Sequence, residues 1–361
     1  MILLGSTGSI GTATLEIAER FHIRVEALVA GYNIDLLKEQ ILRFQPCFVC
    51  VATESLARQI DHPRVFWGER GILEVIRASS SAIVVNALVG FLGLRPTITA
   101  IEEGKTVALA NKETLVAAGA FIDPGHLRPI DSEHFGLWYL LGGRKPAKMT
   151  ITASGGAFRD WPLEKIATAT ADEALNHPNW SMGAKITVDS ATMTNKLFEL
   201  LEARWMFGCQ KVDAVIEPKS VVHAMVQFTD GATTAQMANP DMKLPIAYAL
   251  MQMVDDPILP PIDLLEIASL EFRPITSLRY PIWTIKEDLL AHPKRGVVVN
   301  AANEIAVAKF LRGEIPFGQI TSLVLEAYDH FADRMPTNLE DVFAIDEEVR
   351  RWCESFDTTK A

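Results

Sequence analysis

The sequence predicts an α/β protein in three parts: a doubly wound parallel sheet, then an α+β region with an open sheet, then a helical bundle. Three observations predict this order. The first third alternates short apolar β-type runs with amphipathic helical stretches, the pattern of a parallel sheet with crossover helices. The middle carries longer strand-like runs around a single strong helix. The last part, 280–361, has apolar residues at helical spacing and almost no strand signal.

The elements follow in order. Candidate strands of the first part are 1–4, 24–30, 47–52, 83–86, 106–109 and 127–130, with helices over 10–20, 33–43, 54–60 and 94–103. Gly90, Gly93, Gly104 and Gly119 punctuate the turns. In the middle, Met149–Ala153, Ala214–Phe228 and Thr233–Ala238 read as strands, and Asn195–Phe207 as a helix. The stretch 255–279 is rich in Pro and Leu without periodicity, including Pro257, Pro260 and Pro261, and reads as a linker. The expected division is therefore 1–130, 131–254, a linker 255–279, and 280–361. A chain of 361 residues is too long for one core, which agrees with several domains.

Composition narrows the function. Net charge is −11, so the surface repels nucleic acid and anionic membrane, and neither is expected as a partner. No apolar stretch is long enough to span a bilayer, and the N-terminus lacks the basic region of a signal peptide. Of four cysteines, Cys47 and Cys50 form a C-x-x-C inside an apolar strand-like run. Residues three apart in a strand face opposite ways, and no second pair completes a zinc site. A structural role and a cytoplasmic setting are expected.

Gly5-Ser6-Thr7-Gly8-Ser9-Ile10-Gly11 follows the first strand and opens a helix. This G-x-x-G-x-x-G is a variant of the dinucleotide fingerprint. Its glycines let backbone approach a pyrophosphate, and the helix N-terminus offers unpaired N–H groups. Ser6, Thr7 and Ser9 are expected to add hydroxyl donors, and a plain βα turn is the alternative. The first domain is thus expected to be Rossmann-like. The second strand ends at Gly31-Tyr32-Asn33, with no acid to hold a ribose 2′-hydroxyl. That favours NADPH over NADH, although no Arg or Lys stands there to meet the 2′-phosphate.

Two further segments suggest a metal and a phosphate. Asp131 and Glu133 end the last candidate strand of the first part; at i and i+2 in extended chain they would converge, as hard oxygen ligands suited to Mg²⁺ or Mn²⁺. An acidic turn with a helix cap is the alternative. Glu199 and Glu202 share a helix face, and a metal would relieve their repulsion; Lys196 is the ordinary partner. Ser190, Asn195 and Lys196 form a donor set suited to phosphate, with a solvated, Asn195-capped helix start as the plain reading. His177-Pro178-Asn179-Trp180-Ser181-Met182-Gly183 is a loop whose Trp180 is either a buried anchor or part of a lid. Ser154-Gly155-Gly156 offers a hydroxyl on a turn.

Taken together, Gly5–Gly11, Ala110-Asn111-Lys112-Glu113, Asp131–His134, Ser154–Gly156, His177–Gly183, Asp189–Trp205 and Asn300–Glu304 resemble the 1-deoxy-D-xylulose 5-phosphate reductoisomerase family over essentially the whole chain. The resemblance implies an NADPH-dependent homodimeric enzyme of the non-mevalonate isoprenoid route. Such an enzyme converts 1-deoxy-D-xylulose 5-phosphate to 2-C-methyl-D-erythritol 4-phosphate with Mg²⁺ or Mn²⁺. It implies Asp131, Glu133 and Glu199 as metal ligands. Lys112, Ser132, Glu133, Ser154, His177, Trp180, Ser190, Asn195, Lys196 and Glu199 match substrate contacts, and Trp180 and Met182 match a lid. Thr7, Gly8, Ser9, Ile10, Gly31, Tyr32, Asn33, Asn111, Glu113 and Gly183 match the cofactor positions, although many relatives carry Lys where this chain has Tyr32. A plain NADP-dependent sugar-phosphate dehydrogenase and a non-catalytic nucleotide-binding regulator are the rival readings.

Overall fold

The computed structural model describes residues 1–356. The chain forms two compact units. One comprises Met1–Thr114, Asp123–Phe135 and Asp241–Pro260; the other comprises Leu115–Ile122, Gly136–Pro240 and the chain from Pro261 onward.

The first unit is built on seven parallel strands: β1 Ile2–Leu4, β2 Ala27–Val29, β3 Phe48–Val51, β4 Val65–Trp67, β5 Ile83–Asn86, β6 Thr106–Leu109 and β7 Leu127–Pro129. Their order is β4-β3-β2-β1-β5-β6-β7. The central strands β1, β2 and β3 are buried at every residue, as a sheet covered on both faces requires. Sequence order reverses at β1, which pairs with both β2 and β5. A doubly wound sheet opens its ligand crevice at such a reversal, beyond the carboxyl ends of the strands. This is the Rossmann-like fold expected from the sequence. Strand β4 is an addition: three half-exposed residues at the sheet edge carry too little periodicity to be read.

The second unit holds four strands: β8 Pro146–Ala153, β9 Val212–Ile216, β10 Val222–Phe228 and β11 Thr233–Met237. The order is β11-β10-β8-β9, with β8 and β9 parallel and the other pairs antiparallel. In β9, buried and half-buried residues alternate, the mark of a sheet with one packed face. The segment expected as one strand over 214–228 is two, broken at Glu217–Val221. The buried Glu217 carboxylate accepts from the backbone N–H groups of Lys219, Val221 and Val222 and so fixes that turn. Beyond 280 the unit is helical. Its central helix, Gly296–Leu311, is buried nearly all round, as its Val- and Ala-rich sequence dictates. Residues 255–279 are mostly irregular, with one short helix at Leu264–Ile267 and a single bridge from Arg273 to Ile216. Among the described residues no helix is long and apolar enough to cross a membrane.

Candidate active site

In the first unit the glycine loop sits at the reversal point. Gly5 has φ +85°, and a Cβ there would lie 2.5 Å from the Ala87 carbonyl at the end of β5. A Cβ on Gly11 would lie 2.2 Å from the Gly5 carbonyl. Both positions therefore require glycine, which exceeds what a plain turn needs. Gly8 opens the helix Ser9–Arg20 in extended backbone with no side-chain cap and no acid in the first turn. The first N–H groups of that helix therefore have no side-chain cap, which is the arrangement that suits a pyrophosphate. Thr7, Gly8, Ser9 and Ile10 are exposed or half-buried there. Ser6 is a correction. Its hydroxyl is fully buried and has no hydrogen-bond partner among the described residues, so it faces the protein rather than a ligand.

Beside this loop, Gly31 and Tyr32 are exposed, and the Asn33 side chain caps the helix Ile34–Phe44 by accepting from the Leu36 N–H. Asn111 is buried. Its Nδ2 donates to the carbonyls of Leu88 and Gly90 and to Glu113, while its Oδ1 accepts from Thr114. The amide thus locks the loop after β5, and what Asn111 has left for a cofactor is backbone.

Asp131 and Glu133 converge, but not by strand alternation. β7 stops at Pro129 and Ser132 already begins the helix Ser132–Leu141. Carboxylate oxygens of the two nonetheless lie within 4.8 Å of one another. Like charges this close repel unless a cation intervenes. The buried Lys112 ammonium lies 2.8 Å from Asp131, and Ser132 Oγ donates to Glu133 at 2.6 Å. His134, which the sequence left unassigned, is buried with Nδ1 3.8 Å from Asp131. The i, i+3 spacing at a helix start was its only signal.

The second unit carries the residues expected from the sequence as phosphate donors. The helix Ala184–Thr192 ends at Met193, which adopts the left-handed φ of 71°, and the helix Thr194–Phe207 starts at once. Asn195 is not the cap. It lies in the first turn, and its Nδ2 donates to Glu199 at 2.5 Å. Lys196 pairs with Glu199, both almost wholly buried. A solvated helix start is therefore ruled out: a buried pair is costly unless something is gained from it. Ser190 lies half-buried just before the kink, its Oγ donating to the Ile186 carbonyl. A Cβ on Gly156 would sit 2.5 Å from the Ser190 carbonyl, so the Ser154–Gly156 turn packs directly on this helix.

Ser154 is set up to donate. His177 Nδ1 accepts from the backbone N–H groups of Asn179 and Trp180, so its proton is on Nε2, 2.9 Å from Ser154 Oγ. Ser154 Oγ also accepts from the Gly156 N–H. Both lone pairs are used, which leaves the hydroxyl proton for donation. Burial, aided by the nearby Arg159 charge, lowers the His177 pKa to about 4 and keeps the ring neutral. Arg159 escaped the sequence; it donates to the carbonyls of Ser154 and Pro218, joining segments 59 positions apart. Trp180 is half-buried with its ring edge on His223 at 6.2 Å, and Asn179 ties the same loop to Pro218 and Ser220. Met182 is half-buried, and Gly183, which opens the helix Ala184–Thr192, is exposed.

Cys47 and Cys50 are free thiols. Burial raises Cys50 to about 12, which leaves it inert.

A glycine-rich turn on a doubly wound sheet, with paired carboxylates, and a polar cluster around the buried Lys196 are the parts that an α/β oxidoreductase acting on an anionic substrate would use. Comparison with known proteins makes the class specific. Residues 1–119 match the family model described as 1-deoxy-D-xylulose 5-phosphate reductoisomerase, and 127–207 and 237–352 match two models of its C-terminal domains. The chain is 54% identical to the 1-deoxy-D-xylulose 5-phosphate reductoisomerase of Nautilia profundicola, over 98% of this chain and 99% of that one. It is 52% identical to the enzyme of Wolinella succinogenes over similar shares. A crystal structure of the reductoisomerase with NADPH, fosmidomycin and magnesium superposes with a TM-score of 0.91 at 33% identity, covering 98% of this chain and 97% of that one. The Zymomonas mobilis enzyme with NADPH gives 0.88 at 35% identity, with the same coverage. The chain belongs to the 1-deoxy-D-xylulose 5-phosphate reductoisomerase family.

Proposed function

We propose that this chain is an NADPH- and divalent-metal-dependent enzyme that isomerises and reduces 1-deoxy-D-xylulose 5-phosphate to 2-C-methyl-D-erythritol 4-phosphate, a step of the isoprenoid route. One observation carries the reading furthest. A single helical turn holds both a buried ammonium, Lys196, and a buried carboxylate, Glu199, with the Asn195 amide beside them. That turn can serve a phosphate and a metal at once.

The residues fit both groups. Gly5 and Gly11 leave no room for a side chain where a pyrophosphate would approach, and the helix after Gly8 is uncapped. Asp131 and Glu133 in the first unit offer paired hard oxygens suited to Mg²⁺ or Mn²⁺, and the Glu199 carboxylate in the second is of the same ligand type, as the family resemblance implies. Bound there, the metal supplies Lewis acidity toward the substrate carbonyl and NADPH supplies hydride. The protein's own part is binding and orientation. Ser154, Ser190, Asn195 and Lys196 hold the phosphate, and His177 keeps the Ser154 proton aimed outward. Lys112 and Ser132 set the Asp131 and Glu133 carboxylates. Trp180 and Met182 cover the reacting carbons, and binding energy from the remote phosphate assists the rate.

In this reading 1–130 holds the cofactor, 131–254 does the chemistry and 280–361 buttresses it, joined through 255–279. The enzyme works as a cytoplasmic homodimer, as the family resemblance implies; its four free cysteines suit a reducing compartment. The test follows NADPH absorbance with purified protein, 1-deoxy-D-xylulose 5-phosphate and Mg²⁺ or Mn²⁺. Oxidation that stops with excess chelator is expected. Metal-independent oxidation would instead indicate a plain dehydrogenase.

A further inference from the structure

Asn303 stands near the middle of the helix Gly296–Leu311, among Val and Ala, fully buried. Its Nδ2 donates to Asp189 Oδ1 at 2.7 Å, across 114 positions of sequence. Its Oδ1 has no partner among the described residues. An amide buried with half its hydrogen-bonding capacity unmet destabilises the fold relative to an apolar residue. The position is therefore poorly explained by stability alone, and the contact it makes supplies the reason.

Asp189 is itself buried, with Lys185 at 2.7 Å on its other oxygen. It lies one residue before Ser190 and four before Met193. A left-handed φ on a side-chain-bearing residue is strained and persists only where its surroundings over-determine it. Two devices hold this kink. From within, Thr192 Oγ1 donates to Thr194 Oγ1 at 2.8 Å and accepts from the Thr194 backbone N–H. From outside, the Asn303 amide grips the Asp189 carboxylate. The kink is what sets Ser190 on one side against Asn195 and Lys196 on the other.

We propose that Asn303 is a positioning residue for the phosphate pocket: by holding Asp189 it fixes the kink at Met193, and with it the spacing of Ser190, Asn195 and Lys196. The central C-terminal helix thereby sets substrate affinity without touching substrate. The inference rests on the reading of those three residues as the phosphate site.

The experiment uses the full-length enzyme and inorganic phosphate as probe. In Asn303→Leu, the inhibition constant for phosphate and KM for substrate are expected to rise about 10-fold, with kcat changed far less and NADPH affinity unchanged. The pair Asp189→Asn with Asn303→Asp reverses donor and acceptor and is expected to restore much of the loss, whereas either single change is not. A purely structural role would lower the melting temperature and the folded fraction without this split. Unchanged phosphate inhibition in folded Asn303→Leu overturns the proposal, as does failure of the paired variant to rescue. Should Asn303→Leu not fold, the paired variant against its single parents decides. Lys196→Ala separates the two layers. If it fails to weaken phosphate inhibition, the phosphate site itself is wrong and the inference falls with it; if it succeeds while Asn303→Leu does nothing, only the inference fails.

Discussion

In the proposed function the two units receive anions by opposite means. In the first, the receiver would be backbone: Gly5 and Gly11 carry no side chain because a Cβ would strike the Ala87 and Gly5 carbonyls, and the loop they close leads into an uncapped helix N-terminus. In the second, the receiver is a set of side chains, Ser154, Ser190, Asn195 and Lys196. The partners that orient them range from local to remote: Glu199 on Lys196 within one helical turn, His177 on Ser154 across 23 positions, and Asn303 on Asp189 beside the kink across 114. A backbone site is specified by one contiguous segment and tolerates any neighbour. A side-chain site depends on contacts more than a hundred positions apart, and is only as rigid as those contacts. The first kind should therefore fail through sterics at one residue, the second through loss of charge or of a remote support.

The largest effect is expected at Glu199. Glu199→Gln keeps size and the contact to Asn195 but removes the charge a metal needs and the partner of Lys196. Turnover should fall by about 1000-fold, with NADPH affinity retained, measured by metal-dependent NADPH oxidation and cofactor titration. A folded variant with near-normal turnover would remove Glu199 from the metal site. Next comes Gly11→Ala. Its added methyl would meet the Gly5 carbonyl at 2.2 Å, so the loop must shift. NADPH should bind about 100-fold more weakly, while inhibition by inorganic phosphate at the other unit stays put. If both were lost together, the two receivers would not be independent.

The same contrast decides what the sequence could reveal. The glycine loop was legible because strand, glycines and helix are contiguous. The parallel sheet was legible because its strands are uniformly apolar, and only the short edge strand β4 escaped. Asp131 and Glu133 were paired for an incorrect geometric reason: the chain has already turned into a helix at Ser132. Asn195 looked like a cap and is not, because Met193 makes the turn and nothing local predicts a left-handed methionine. Arg159 and Asn303 carry no local pattern at all. They act through carbonyls and a carboxylate brought up by tertiary packing, whereas Ser190, Asn195 and Lys196 could be read as a donor set because they lie within seven positions of one another.

His177 sharpens the comparison by pH. In the unfolded chain its pKa is 6.5; in the fold burial lowers it to about 4. Below pH 6.5 the unfolded state takes up a proton that the folded state refuses, so stability falls as pH drops from 6.5 towards 4. The ring is partly solvent-screened, and its share is about 1 kcal/mol. Urea midpoints of wild type and His177→Gln at pH 7 and pH 5 measure it. Wild type should lose about that much more than the variant, and equal losses would mean the ring is not held neutral. The glycine loop has no titratable group and should show no such term.

The smallest effect belongs to Tyr32, where the backbone strategy is most exposed. The side chain is 77% accessible and offers the 2′-phosphate no charge. Beside it, Asn33 uses its oxygen as the helix cap, which leaves its Nδ2 as a donor at the positive end of the helix Ile34–Phe44. Asp35 in the first turn of that helix opposes an incoming phosphate. In the proposed function, selectivity for NADPH would therefore rest on an amide and a helix terminus, without a cation. Tyr32→Lys supplies one. An exposed charge pair is weak, so kcat/KM for NADPH should rise about 3-fold at low salt, with NADH unaffected and the gain fading as salt is added. No gain for NADPH, or an equal gain for NADH, would mean the 2′-phosphate lies beyond reach of position 32, and that the helix N-terminus alone discriminates.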